Sequence, residues 1–380
     1  MPEKKRNKSF SLKQQGKIDI TFLSLVLILM TIGLVMLFSA SYAYSYTYFG
    51  NSYHFIFRQS IFAVIGVAAM LIISRIDYHI LKKFSWVIYL ITVALLMIVL
   101  ILPPMSDELN VKRWISFGGF SFQPSEIAKF AIVVLFASWL AANGEKIKKL
   151  RYIAWLVFLL GTVCALVVAE PHLSATVLIF TLGIILMIVG GLPKRWILAG
   201  AGAGAGGLLI LIFSGAISYG SDRIKYWLDP WLDPTGSGYQ TIQSLLAIGS
   251  GGLLGRGIGQ SRQKYLWVPE PHNDFIFSIV CEELGLIGAM VIILLFCALV
   301  WRGFTIAMRS QDKFGTLLAI GLTFQVGLQA ILNILVVTNT IPNTGISLPF
   351  FSYGGTALMI LLAEMGVVLS ISRTSSVQKI

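Results

Sequence analysis

The stretch from Gly259 to Gly285 (GQSRQKYLWVPEPHNDFIFSIVCEELG) gathers the groups best suited to acid–base chemistry. Arg262 and Lys264 open it, and Pro269 and Pro271 keep it from continuing as helix. Asp274 then stands at the head of an apolar run reaching Arg302, long enough for a helix that crosses a bilayer. A carboxylate in the first turn of such a helix feels the positive end of the aligned peptide dipoles, which favours the ionised form. It also stands at the membrane edge, within reach of a lipid head group. An ionised acid so placed can take a proton from a hydroxyl.

Three further regions carry polar groups where a membrane protein would ordinarily have none. In KRWISFGGFSFQPSEIAKF, residues 112–130, Pro124 suits the first position of a helix, and Glu126 and Lys129 fall on one face of it. They form either a structural ion pair or a pair lining a groove. Glu170-Pro171-His172 makes a very short turn between two apolar runs, and its Glu is either solvated or functional. The segment IPNTGISLPFFSYGGT, 341–356, is rich in Pro and Gly, and non-helical backbone at membrane depth is tolerated only when buried in protein or lining a cavity. Outside these, Arg223, Lys225, Arg256, Arg262 and Lys264 crowd one long loop with Asp222, Asp229 and Asp233. Ordinary loop ion pairs explain them, or the binding of diphosphate oxygens, which Arg and Lys suit. Glu282, Glu283 and Glu364 lie deeper, where they would close internal hydrogen-bond networks.

The elements that hold these groups are membrane helices. The chain has 380 residues, 56% hydrophobic and 12% charged, with mean hydropathy +0.81, too apolar for a soluble domain. Ten apolar runs each approach the ~20 residues that cross a bilayer, at roughly 20–42, 57–74, 80–102, 124–142, 152–169, 172–192, 195–216, 274–301, 315–336 and 353–372. The expectation is an all-α polytopic membrane protein with ten transmembrane helices and a large outer loop, 217–273, between the seventh and eighth. Residues 1–18 form a basic cytoplasmic tail with no cleavable signal, 19–373 one membrane domain, and 374–380 a second cytoplasmic tail. With both termini inside, twenty of the 29 Lys and Arg fall on inner segments, and Asp274 falls on the outer face. The net charge of +12 is thus a membrane-topology signal, not a nucleic-acid signal. Gly238–Leu254 has apolar residues at helical spacing and reads as a short amphipathic interfacial helix. Cys164, Cys281 and Cys297 lie in apolar runs and read as packing residues.

No Walker loop, no dinucleotide-binding glycine motif and no Ser-His-Asp order occurs, and His172 and His272 lack zinc-ligand spacing. What remains is an outward-facing polar site on membrane helices with one well-placed acid. It fits a transporter or an enzyme acting on a lipid-linked substrate.

Four stretches, RWISFGGFSFQPSEIAKF at 113–130, DPWLDPTGSGYQTIQSLLAIGSGGLLGRGIGQS at 229–261, VPEPHNDFIFSIVCEELG at 268–285 and PNTGISLPFFSYGGTALM at 342–359, resemble the SEDS (shape, elongation, division and sporulation) family, nearest its FtsW and SpoVE branch. The resemblance spans about 18–373. It implies a glycosyltransferase of the bacterial cell membrane that polymerises lipid II outside the cell for division, elongation or sporulation and releases undecaprenyl diphosphate. Implied partners are lipid II and undecaprenyl-linked glycan, a class B penicillin-binding protein as transpeptidase, and other membrane proteins of the division or elongation machinery. The family's essential aspartate corresponds to Asp274. The matching motifs and the outer-loop cations supply the expected substrate-binding set: Arg113, Trp114, Gln123, Ser125, Glu126 and Lys129, with Glu170, Arg223, Arg262, Lys264, Pro349 and Ser352. The chain departs from the family at three places. Glu170-Pro171-His172 lacks the second acid usual in that turn, His272-Asn273-Asp274 replaces a Thr-Asp pair but keeps the acid, and Thr344 stands where some members have Lys. No cofactor is assigned, and a divalent cation, magnesium or manganese, is the candidate to assist the leaving diphosphate. A lipid II flippase and a non-catalytic division scaffold are the rival readings.

Overall fold

The structure, a computed structural model, describes residues 16–102, 113–117, 120–198 and 225–374. Arg223 and most of the expected seventh span, 195–216, lie outside the described residues. The other nine expected spans are all helices: α1 (Ile20–Phe49), α2 (His54–Ile73), α3 (His79–Ile101), α4 (Pro124–Asn143), α5 (Leu150–Ala169), α6 (Leu173–Val189), α8 (Ile276–Met308), α9 (Lys313–Val337) and α10 (Gly355–Thr374). Between α6 and α8 lies the shorter α7 (Tyr239–Gly251). Eight of the described helices are long and apolar enough to cross a membrane, and α6 is a shorter apolar helix. The chain is a multi-pass membrane protein by this count.

Local sequence explains the helix ends. The Asp19 carboxylate accepts from Phe22 N to cap α1, and Gly50, in the left-handed region at φ 66°, ends it. Pro124 opens α4 after an extended Gln123. Asp312 caps α9 by accepting from Phe314 N and Gly315 N. At this same end of the molecule Asp19 also pairs with Arg302 at 2.8 Å, and its own N–H donates to Ser372. One residue doing both ties α1 to α8 and α10.

At the opposite end, a hairpin pairs Ile115–Phe117 with Phe120–Phe122, antiparallel, with Ile115 facing Phe122. The Thr356 hydroxyl donates to Ser121 O and fastens the hairpin to α10. α10 makes its most extensive packing with α2.

The largest departure from the expected architecture is in α8. Its helix breaks at Gly285, where φ is 68° and ψ −172°. The first part, 276–284, is a short helix whose residues Ile276–Glu283 are all buried, and the long apolar remainder begins at Leu286. Backbone from 252–257 is spliced into the break. Leu286 N and Ile287 N donate to Gly252 O and Leu253 O, while Arg256 N and Gly257 N donate to Glu282 O and Glu283 O. Helix ends left open by the kink are thereby satisfied. A Cβ at residue 285 would lie 2.2 Å from Gly255 N, so the splice requires glycine there. Asp274 therefore heads a short, protein-enclosed helix and not the start of an uninterrupted span.

Candidate active site

Three successive backbone carbonyls fix the segment that carries Asp274. His272 O accepts from Tyr353 N at 2.8 Å, Asn273 O from the Ser352 hydroxyl at 2.9 Å, and Asp274 O from Asn333 Nδ2 at 2.7 Å. Asn333 Nδ2 also donates to Ile346 O at 2.6 Å, so one buried amide joins the loops on either side of the site. The 352–354 turn is braced in turn by Gln59 of α2, which donates to Ser352 O and accepts from Gly354 N. His272 is enclosed by the rings of Tyr44, Phe55 and Tyr353, and its burial pushes its pKa down to about 4. Such bracing holds a reactive group in one geometry.

The Asp274 carboxylate itself accepts no hydrogen bond from any described residue. It is half-buried, and desolvation, reinforced by the Glu270 charge and opposed by Arg113, pushes its pKa up to about 6. The helix dipole argued for an acid that ionises easily. Burial outweighs it, because residues from α6, α7 and the loop before α10 close around the carboxylate. The result is a carboxylate that is charged at neutral pH yet basic enough to take a proton.

Asp274 borders two cavities. The larger, of about 820 Å³, is walled by α2, α4, α6 and the loops before α8 and α10. Arg113, Trp114, Gln123, Glu126 and Lys129 all line it, so the structure brings together five of the groups singled out in the 113–130 motif. Lys129 Nζ pairs with Glu126 at 2.8 Å, with the lysine side chain 1% exposed and the glutamate 17%. The second cavity, of about 460 Å³, is lined by Tyr226, Trp227, Ser237, Thr241 and Asn343. Arg113, Ser174, Asp274 and Gly345 belong to both. A Cβ at Gly345, whose φ is 69°, would lie 3.2 Å from Asp274 Oδ2, so the absence of a side chain keeps the carboxylate open.

The remaining expected residues lie elsewhere. Ser125 is fully buried beneath the cavity wall, with its hydroxyl 3.3 Å from His172 Nδ1. Glu170 is fully buried, neither carboxyl oxygen has a hydrogen-bond partner among the described residues, and desolvation, partly offset by Arg113, pushes its pKa up to about 8. The Arg113 guanidinium instead donates to the carbonyls of Glu170 and Pro171. Lys264 is 3% exposed and is consumed by a buried network, donating to Glu283 at 3.1 Å, to Ser39 Oγ and to Gly259 O. Arg262 has an exposed side chain, and its backbone N donates to Glu282. Pro349 and Ser352 border a small void of about 40 Å³ shared with Glu126 and Glu364.

Two groups in the site were not expected. Asn333 could have been found as a lone amide in the apolar run AILNILVV. His172 lines the large cavity, with Nδ1 3.1 Å from Gln123 Nε2. Its role was hidden because sequence offers only a histidine beside a proline.

The site is thus a braced acid on the wall between two cavities of a polytopic membrane protein. Residues 20–377 match the model of the FtsW, RodA and SpoVE cell cycle protein family, and the chain belongs to that family. It is 41% identical to stage V sporulation protein E of Bacillus subtilis (strain 168), over 94% of this chain and 97% of that one. It is 37% identical to a probable peptidoglycan glycosyltransferase FtsW of Geobacter sp. (strain M18), over 93% and 96%. Among solved structures, a chain of a peptidoglycan synthase complex superposes with TM-score 0.79 at 28% identity, covering 94% of this chain and 98% of that one. The rod shape determining protein RodA of Thermus thermophilus superposes with TM-score 0.70 at 26% identity over the same shares.

Proposed function

We propose that the chain is a peptidoglycan glycosyltransferase that polymerises lipid II on the outer face of the bacterial cell membrane, with Asp274 as general base. The observation that carries this reading is the position of Asp274 on the wall shared by two cavities. Polymerisation needs two substrates at one base. Transport of a single lipid needs a continuous path and a midplane site.

In this reading the large cavity takes the diphosphate-linked donor and the polar second cavity takes the acceptor sugar. Asp274 accepts the proton of the acceptor hydroxyl as that oxygen bonds the donor's anomeric carbon. The bond from that carbon to the diphosphate breaks, and the diphosphate leaves with the electron pair. One displacement inverts the centre from α to β with no covalent enzyme intermediate. A base in this role contributes about 10²–10⁴ in rate. Arg113 and Lys129, both on the large cavity, stabilise the charge that develops on the diphosphate. Among the described residues no three acid, imidazole or thiol groups converge on a metal-sized site. A magnesium or manganese ion would rely on diphosphate oxygens, with Asp274 the carboxylate nearest both substrates.

The same reading includes ten transmembrane helices in one membrane domain, both termini cytoplasmic, and a class B penicillin-binding protein as partner, by analogy with the peptidoglycan synthase complex it superposes on. The test is polymerisation of lipid II by the purified chain, alone and with that partner. Glycan strands support the enzyme reading. Lipid II translocation in proteoliposomes without strands would support the flippase instead.

A further inference from the structure

We propose that His172 is a substrate-binding residue, whose Nε2–H donates a hydrogen bond into the large cavity to a diphosphate oxygen of the donor. This rests on the reading of that cavity given above.

The other ring nitrogen is already engaged. Gln123 Nε2 stands 3.1 Å from Nδ1, and the Ser125 hydroxyl 3.3 Å from it. An amide N–H can only donate, so Nδ1 accepts and carries no proton. Ser125 is fully buried, and its hydroxyl packs beside the same Nδ1. The ring is neutral, because burial, with Arg113 and Lys129 adding to it, pushes its pKa down to about 3. A neutral ring with a bare Nδ1 carries its proton on Nε2. That Nε2–H has no protein acceptor among the described residues, and His172 lines the cavity.

The surroundings decide what the donor meets. Arg113 and Lys129 are the charges that act on the ring, and both line the same cavity. In a cavity that two cations line, a neutral N–H selects an anionic oxygen, and it does so without adding a third charge that would repel them. The backbone makes the placement firm: His172 N donates to Val167 O, and His172 O accepts from Thr176 N and from the Thr176 hydroxyl. A side chain fixed at its backbone and at Nδ1 loses little freedom when the substrate arrives.

Binding of farnesyl diphosphate to the purified full chain in detergent, by calorimetry, tests the assignment, with farnesol as the ligand that has the tail but no anion. His172→Phe keeps a ring and removes the donor. His172→Asn keeps a short polar side chain near Gln123 and Ser125 but does not reach the cavity. His172→Gln places an amide N–H near the position of Nε2. Diphosphate affinity should fall roughly tenfold or more in the Phe and Asn proteins and stay within about threefold in the Gln protein, the size expected for a hydrogen bond to a charged group. Farnesol affinity should not change in any of them. The same loss should appear when His172→Phe is added to Asp274→Asn, which separates the binding claim from the base assignment. Wild-type diphosphate affinity in both the Phe and Asn proteins, or an equal loss for farnesol, overturns the proposal.

Discussion

Asp274 combines two demands that pull in opposite directions. As the proposed base it must be ionised, yet basic enough to hold the proton it takes. Desolvation, reinforced by the Glu270 charge, supplies the second, and Arg113 limits how far it goes. With the carboxyl at about 6, polymerisation by the purified chain should fall about tenfold per pH unit below 6 and level off above it. A rate flat from pH 7 to pH 5 would count against the base. Glu170 gives a separate readout in stability. Its folded value of about 8 lies above the unfolded value near 4, so the folded state binds the proton that the unfolded state has released. Stability from this group is complete below about pH 4 and is lost as the pH rises towards 8. Glu170→Gln should therefore flatten the fall in melting temperature between pH 5 and pH 8, and an unchanged slope would show that the carboxyl is not the cause.

Sequence could locate Asp274, because an acid ahead of a long apolar run is conspicuous. It could not reveal that the acid is half-buried, since the residues around it come from distant parts of the chain, among them Arg113, Ser174, Thr241 and Gly345. For the same reason Lys264 read as a cation free to bind diphosphate oxygens: nothing local shows that Ser39 of α1 and Glu283 of α8 hold its ammonium.

Among elements, the broken α8 decides how the site is presented. The stretch 276–308 is apolar enough overall to cross a membrane, so a sequence pattern reads one helix where the backbone forms two. The break is written only in Gly285 and in the polar pair Glu282–Glu283 before it. Glu282 accepts from Ser261 and from the backbone of Arg262 and Gln263, and Glu283 from Ser39, Ser261 N and Lys264. These two acids hold the 252–264 loop in place. Gly285→Ala should cost about 1–3 kcal/mol in backbone strain, before the clash with Gly255 N is counted. Lys264→Met leaves Glu283 buried without its cation, a loss of about 3–5 kcal/mol. Restoring neutrality with Glu283→Gln in the same chain should recover part of the melting temperature. If Lys264→Met leaves the melting temperature untouched and reduces only diphosphate binding, the lysine belongs to the site and not to the loop.

At the scale of the whole molecule, the apolar periodicity is strong enough to place helices, and the nine expected spans that fall within the described residues begin and end within a few residues of the helices found, α1 and α8 apart, which run on to Phe49 and Met308. The two-stranded hairpin at 115–122 was not visible in advance, because FGGF between short aromatic runs reads equally as loop. The orientation proposed above has its own check. A cysteine near Thr235, close to the Asp274 end, should react with an impermeant thiol reagent added to intact cells, and one near Lys148 should not. Reversed labelling would place the site on the inner face. The most direct test of the central claim is polymerisation of lipid II by the purified Asp274→Asn protein, beside its binding of farnesyl diphosphate. Loss of about 10² or more in rate, with binding and melting temperature kept, is the expected result. A folded, ligand-binding Asp274→Asn protein that polymerises at near the wild-type rate would contradict the assignment of Asp274 as the base.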